Sequence, residues 1–404
     1  MKKLLLLFAL IIVSNYLFAQ FKNNAVGQIP IIAWGGVVPD ESTEARYAEM
    51  VQAGITHNIS LFENVDQLAI AMESAKKTGV KMIIYCPEIR TNPEMVVNRF
   101  KDHPALAGYL LYDEPKVAEF PKVIDLMKRI QALDSDHFCY VNHFAVDFLS
   151  RSLEHRSFKG AVSEMIRNTT LPLISYDYYP IIEDRSGNRK MAEQMYENLE
   201  FYSKEAQNVN KPFWAFALTV AIDEYYPVPT KEGLRLQVFS NLAYGAQGIQ
   251  YFTYWTPKQR GSKNFYSGPI DRNTGKQTNV YNHIQQISSE IKGLSPVFLG
   301  AQLESVSHTG AKIPRGTRRL NPKTLPDVIT KFGTEGLGAV VSVMKNGNKS
   351  YLVVVNRDFK KAMTLTIEGD NRLTRVLKDG TTEKVNDSKS KISIDPGDVT
   401  IFGW

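Results

Sequence analysis

Cysteine is scarce in this chain of 404 residues, which has only Cys86 and Cys139. That excludes the disulfide framework of small secreted domains. Both fall on predicted parallel strands, the third and the fifth. Neighbouring strands lie about 4.8 Å apart, so residues two strands away sit roughly 10 Å apart, beyond disulfide reach. Two buried free thiols are therefore expected. Histidine is sparse too, at seven residues, and none shows HxxxH or HxH spacing. No metal site and no cofactor is expected on that count, His143 near Asp113 being the one pairing a cation would use. A Gly-x-Ser-x-Gly elbow is missing, which removes the common serine hydrolases. No glycine-rich phosphate turn follows the early strands, and Gly35-Gly36 is too little to make one. Long basic runs are absent as well. The formal net charge is a mild +6, with Lys2 and Lys3 contributing two of it, so nucleic acid is not an expected partner.

What is present begins with a leader. Lys2-Lys3 precede an apolar run over 4–13, and Phe18-Ala19-Gln20 offers a small-residue junction near Ala19. Residues 1–19 read as a secretory signal, too short in its apolar part to span a bilayer comfortably. No cysteine follows the junction to accept a lipid. A periplasmic or secreted protein without membrane insertion is expected. Aromatics are plentiful, with 19 Tyr and 20 Phe. Core packing claims most of them, and exposed ones suit carbohydrate surfaces.

From residue 31 to about 300, short apolar runs alternate with amphipathic stretches. Strands are expected at 31–34, 55–61, 80–85, 106–113, 138–142, 173–178, 213–219 and 249–255. Helices are expected from Ser42 and over 65–78, 93–101, 117–132, 162–167, 190–207, 231–245 and 280–294. Eight such units in about 270 residues match a (β/α)8 TIM barrel spanning 24–300. A doubly wound open sheet is the alternative, and it normally has fewer units. After Gly300 the pattern becomes short alternating strands broken by Asn346-Gly347, Gly369-Asp370 and Asp379-Gly380. Such turns join antiparallel hairpins, so residues 301–404 are expected to form a small C-terminal antiparallel β-sandwich.

In a (β/α)8 barrel the strand C-termini converge on one mouth. Gathered there would be Trp34, Glu88, Asp113 and Glu114, Asn142 and His143, Tyr176, Asp177, Tyr178 and Tyr179, then Tyr254 and Trp255. Acid placed where a buried strand meets its loop is costly and is usually kept for chemistry. The plainer reading of Asp113-Glu114 is a cap for the helix that follows. A bowl of carboxylates, amide, imidazole and aromatic faces suits a neutral, hydroxyl-rich ring. Trp255 ends a strand at the mouth and is assigned to ligand contact, whereas Trp214, earlier in its strand, is assigned to the core. The loop over 256–278 is expected to form a lid or subsite wall, with Lys258, Arg260 and Lys263 as solvated surface or, alternatively, as contacts for an acidic sugar.

The stretches Tyr109 to Pro115, Ser175 to Pro180 and Arg235 to Trp255, with the helix from Tyr281 to Gly300, resemble clan A glycoside hydrolases. The nearest resemblance is to the family 42 β-galactosidase-like barrels of Bacteroidetes. It implies a glycosidase acting on an oligosaccharide or glycoside, with the acid/base carboxylate after strand four, at Glu114. Two departures stand out. Asp113 stands where the clan has Asn, and no Glu closes strand seven, where Asp223 and Glu224 come several residues late. The partner carboxylate is then Asp177 or Glu224. The Asp113-Glu114 pair is also similar to that of substrate-assisted N-acetylhexosaminidases, in which the substrate's acetamide is the nucleophile. That resemblance implies Asp113 orienting the acetamide, Glu114 protonating the leaving oxygen and Tyr178 holding the carbonyl. A catalytically silent glycan-binding barrel and a structural protein of the cell envelope are the competing expectations.

Overall fold

The computed structural model describes residues 27–146, 155–192, 194–259, 261, 263–385 and 391–404. The expected leader lies outside them. Eight parallel strands close into a barrel: β1 Ile31–Trp34, β2 His57–Ile59, β3 Lys81–Ile84, β4 Leu106–Asp113, β5 Phe138–His143, β6 Ile174–Tyr176, β7 Phe213–Leu218 and β8 Gly248–Phe252. Each pairs in parallel with its sequence neighbours, and β8 closes on β1 through Ile31 opposite Ile249. The TIM barrel expected from the alternating pattern is the fold.

Strand parity divides the side chains. Ile32, Trp34, Ile83, Leu110, Tyr140, Trp214 and Phe216 fill the barrel interior. Residues of opposite parity, such as Ala33, Tyr109, Cys139 and Val141, pack outward against the helices. Cys86 and Cys139 are buried free thiols, as their strand positions imply. Trp214 forms the floor, its ring edge-on to Phe138 at 5.9 Å and near Tyr140 at 6.2 Å. Gly248 makes that floor possible, because a Cβ there would stand 2.5 Å from the indole.

Helices occupy the expected connections, Val65–Thr78 to the residue, ended by Gly79 in the left-handed region. One assignment is corrected. Residues expected to begin a helix at 190 instead form a hairpin, Ile181–Glu183 with Arg189–Met191, and the helix runs Gln194–Val209. Gly187-Asn188 turns that hairpin, with the Gly187 N–H donating to Asp184.

After the helix Asn279–Phe298 the chain enters two antiparallel sheets, of six and three strands, around Leu352, Val354, Leu365 and Phe402. This sandwich includes strands at Gln302–His308, Ile329–Thr334 and Thr382–Lys384 beyond those expected. A buried ion cluster joins the sandwich to the barrel. Arg235 pairs with Glu290 and with Asp398, at 3.3 Å, and Lys378 reaches Asp398 at 2.6 Å. Among the described residues no helix is long and apolar enough to cross a membrane.

Candidate active site

β4 runs as eight residues, buried until its last turn of pleat, and ends in Asp113. Glu114 follows with φ +49°, a left-handed conformation a glutamate rarely takes, and its N–H donates to Asn142 O on β5 at 2.8 Å. A residue held there costs of order 1–3 kcal/mol and persists where the surroundings enforce it. Pro115 then stops the ladder. Three carboxyls meet at this corner of the mouth. Asn142 Nδ2 donates to Asp113 Oδ1 at 3.2 Å and to Asp177 Oδ1 at 3.0 Å. Glu114 is hydrogen-bonded to Asp177, which also accepts from the Tyr179 hydroxyl.

Electrostatics follow from that crowding. Burial, then Asp177 and Asp113, push the Glu114 carboxyl up to about 8, opposed by Lys263 from the loop after β8. Burial and Asp113 raise Asp177 to about 6, while donors from Asn142 and Tyr179 hold it down. At neutral pH the pair therefore keeps one proton, and the burial of Glu114 between two aspartates favours its carboxyl as the holder.

Behind Asn142 lies a buried polar chain. Ser175 Oγ donates to Asn142 Oδ1 at 2.8 Å, Gln250 Nε2 donates to Ser175 Oγ at 2.8 Å, and the Tyr140 hydroxyl donates to Gln250 Oε1 at 2.6 Å. Sequence reasoning passed over Ser175 and Gln250. Their signal was a polar residue inside an apolar strand, which burial obliges to find partners.

The opposite side of the mouth is aromatic. Trp34 ends β1 with its ring 5.6 Å from Phe252 of β8, and its buried Nε1–H has no partner among the described residues. Tyr179 stacks on Phe252 at 5.6 Å, linking the acid corner to this side. Beyond Trp34, a cavity of 550 Å³ opens between the loops after β1, β2 and β8, with Trp255, Phe265 and Leu61 in its wall. The loop over 256–278 does line it, pairing Phe265–Tyr266 with Ala221–Ile222.

Several expected site residues sit elsewhere. Tyr176 and Tyr254 are buried on the outer face, Tyr176 stacked on Tyr202 at 4.0 Å. Tyr178 also packs against that outer layer, and Tyr179 takes the place expected of it. His143 follows Asn142 on the pleat, so it too turns outward, and burial drives it down to about 4, the neutral form. Glu88 accepts from Val65 N at 3.3 Å, which uses it at a helix N-terminus. Trp255 lines the cavity, though its ring is covered by the Arg46 guanidinium at 5.0 Å. Glu224 lies on an exposed turn at φ +70°.

Residues 156–294 match the family model described as beta-galactosidase, glycoside hydrolase family 42. The chain is similar to family 42 glycoside hydrolases. Solved structures agree in fold. A family 42 β-galactosidase from G. stearothermophilus superposes with TM-score 0.61 at 9% identity, over 93% of this chain and 98% of its own. The cold-adapted β-galactosidase from Rahnella sp. R3 gives 0.59 at 8%, over 94% and 98%. A glycoside hydrolase family 5 protein from Bacteroides vulgatus gives 0.57 at 13%, over 93% and 88%. No curated protein matches the sequence. Family match and fold together support a glycosidase. The sequence departs from the family 42 pattern in having no Glu at the end of strand seven, and the structure agrees. Here β7 ends in Leu218 and Thr219, whose hydroxyl donates to Thr253 O at 2.7 Å, and no carboxylate stands there.

Proposed function

We propose that this protein cleaves glycosidic bonds with Glu114 as proton donor. One observation carries the reading: a carboxyl at the barrel mouth, hydrogen-bonded to a second carboxyl and raised to about 8, is protonated at neutral pH. In such a step the Glu114 proton passes to the glycosidic oxygen as its bond to the anomeric carbon breaks. The leaving group departs as an alcohol. The ionised Asp177 and Asp113 then face the positive charge that builds on the ring. The cavity beside Trp34 is roomy enough for further sugar units, which favours an oligosaccharide over a simple glycoside.

A second reading concerns the nucleophile. Two-carboxylate glycosidases hold their acids about 5–5.5 Å apart when retaining and about 6.5–9.5 Å when inverting. Glu114 touches Asp177 directly, and β7 offers no opposing acid. That arrangement favours an acetamide supplied by the substrate, oriented by Asp177 and Tyr179, over an enzyme nucleophile. A panel of aryl glycosides tests both readings. Release from N-acetyl sugars alone supports acetamide participation; release from plain sugars supports attack by water or by Asp177. Oligosaccharide binding without product over days would sink the hydrolase reading and leave a glycan-binding barrel. We also read the chain as exported, on the strength of residues 1–19. A mature N-terminus near Gln20 is the expected mass-spectrometric result, and an intact Met1 in the periplasmic fraction would contradict it.

A further inference from the structure

We propose that Ser175 and Gln250 are positioning residues which, through the Asn142 amide, decide which carboxyl at the mouth holds the proton. The inference rests on the reading of Glu114 as proton donor for its consequence, and on hydrogen-bond direction for its substance.

Each hydroxyl has a single proton to give. Tyr140 gives its own to Gln250 Oε1, so the Gln250 amide must turn its nitrogen toward Ser175. Ser175 Oγ then accepts from Gln250 and also lies 2.8 Å from the Tyr140 oxygen, which leaves Asn142 Oδ1 as the outlet for its proton. With its oxygen so occupied, Asn142 presents its nitrogen to Asp113 and Asp177. All four members are buried, so water does not compete for these bonds. Direction thus passes from β8 through β5 and β6 to the carboxylates. Turned the other way, Asn142 would aim a carbonyl oxygen at two anions.

Other charged and titratable groups also bear on this corner. Asp177 faces Tyr179, Tyr179 lies 5.9 Å from Tyr226, and Lys263 acts on Glu114 from the loop after β8. Donation from Asn142 favours the ionised forms of both aspartates. Two ionised neighbours in turn keep Glu114 protonated. Loosening the amide weakens the first effect and moves the proton from Glu114 toward Asp177.

The test is a carboxyl-carbon NMR titration of protein labelled in its Asp and Glu side chains, with the Glu114 signal assigned by its loss in Glu114→Gln. It needs no substrate. Ser175→Ala is expected to raise the Asp177 midpoint and lower that of Glu114 by about one pH unit or more, and Ser175→Thr to restore both. Should Ser175→Ala not fold, Tyr140→Phe frees the Gln250 amide and moves the midpoints the same way. Midpoints unchanged in a folded Ser175→Ala or Tyr140→Phe variant overturn the relay. A Glu114 midpoint near 4.3 in the unaltered protein overturns the proton-donor reading instead.

Discussion

The two sides of the barrel mouth are built from opposite materials. From β4 to β6 the wall carries Asp113, Glu114, Asn142, Asp177 and Tyr179, tied to one another and to a buried polar chain. From β7 round to β1 it carries Leu218, Phe252 and Trp34, with a cavity beyond whose wall mixes Trp255, Phe265 and Leu61 with Asp40, Glu41 and Arg272. Charge that would face itself across the ring in a two-carboxylate glycosidase is gathered here into one corner. Under the proposed function, the first side breaks the bond and the second holds the substrate. That gathering also leaves the attacking group to come from the substrate, from water or from the same corner as the acid.

The largest effect belongs to the acid side. Glu114→Gln is expected to lower kcat by about 10²–10⁴-fold on the true substrate with little change in KM. Full activity in that variant would end the assignment. The pH profile sharpens it further. On the proposed mechanism Glu114 acts protonated and Asp177 ionised, so kcat should fall below about 6 and above about 8. Stability follows with a definite sign. A carboxyl raised in the folded state binds more protons there than in the unfolded chain, so its contribution is full below about 4.5 and is lost as pH rises through about 8. Glu114→Gln should accordingly raise Tm at pH 8.5 relative to the unaltered protein and leave it unchanged at pH 4.

On the aromatic side the effect is on holding. Trp34→Ala removes from the cavity edge a ring and an indole N–H that has no partner among the described residues. It should raise KM by about 10-fold or more for oligosaccharides while kcat stays within a few-fold. An equal fall in kcat would mean that the two sides do not divide the work. The shared floor gives a third, structural comparison. Gly248→Ala sets a Cβ 2.5 Å from the Trp214 ring, and overpacking of this kind costs about 1–3 kcal/mol. Thermal unfolding should show the loss, and unchanged Tm would mean that the floor has room to move.

Much of the fold was legible because strand and helix periods differ and the barrel repeats them eight times. Asp113, Glu114 and Asn142 were legible as polar residues arriving at the ends of apolar strands. Tyr176 against Tyr179 was not. β6 ends at Tyr176, the chain then leaves the pleat, and alternation no longer says which ring turns inward. His143 misled for the opposite reason, since it is still on the pleat and parity sends it outward. The helix expected from Lys190 failed because Gly187-Asn188, just before it, turns a hairpin that takes up Arg189–Met191. Ser175 and Gln250 had a signal that only the third dimension made useful, since a buried amide names no partner until strands β5, β6 and β8 are brought together.

The smallest expected effect is the sharpest test of the division. Glu224 follows Asp223 a few residues after the end of β7, and the family 42 resemblance made it a candidate partner for Glu114. It occupies the tip of a turn, exposed, with the neighbouring Asp223 N–H tied to Asn264 O at 3.1 Å. Surface changes away from packed or paired groups usually stay within about 0.5 kcal/mol. Glu224→Gln should therefore leave kcat and KM within about twofold and Tm unchanged. A loss of 10²-fold or more, measured beside Glu114→Gln, would place a second acid across the ring during turnover. The aromatic side would then hold half of the chemistry, and the loop carrying Glu224 would have to fold inward over the substrate to deliver it.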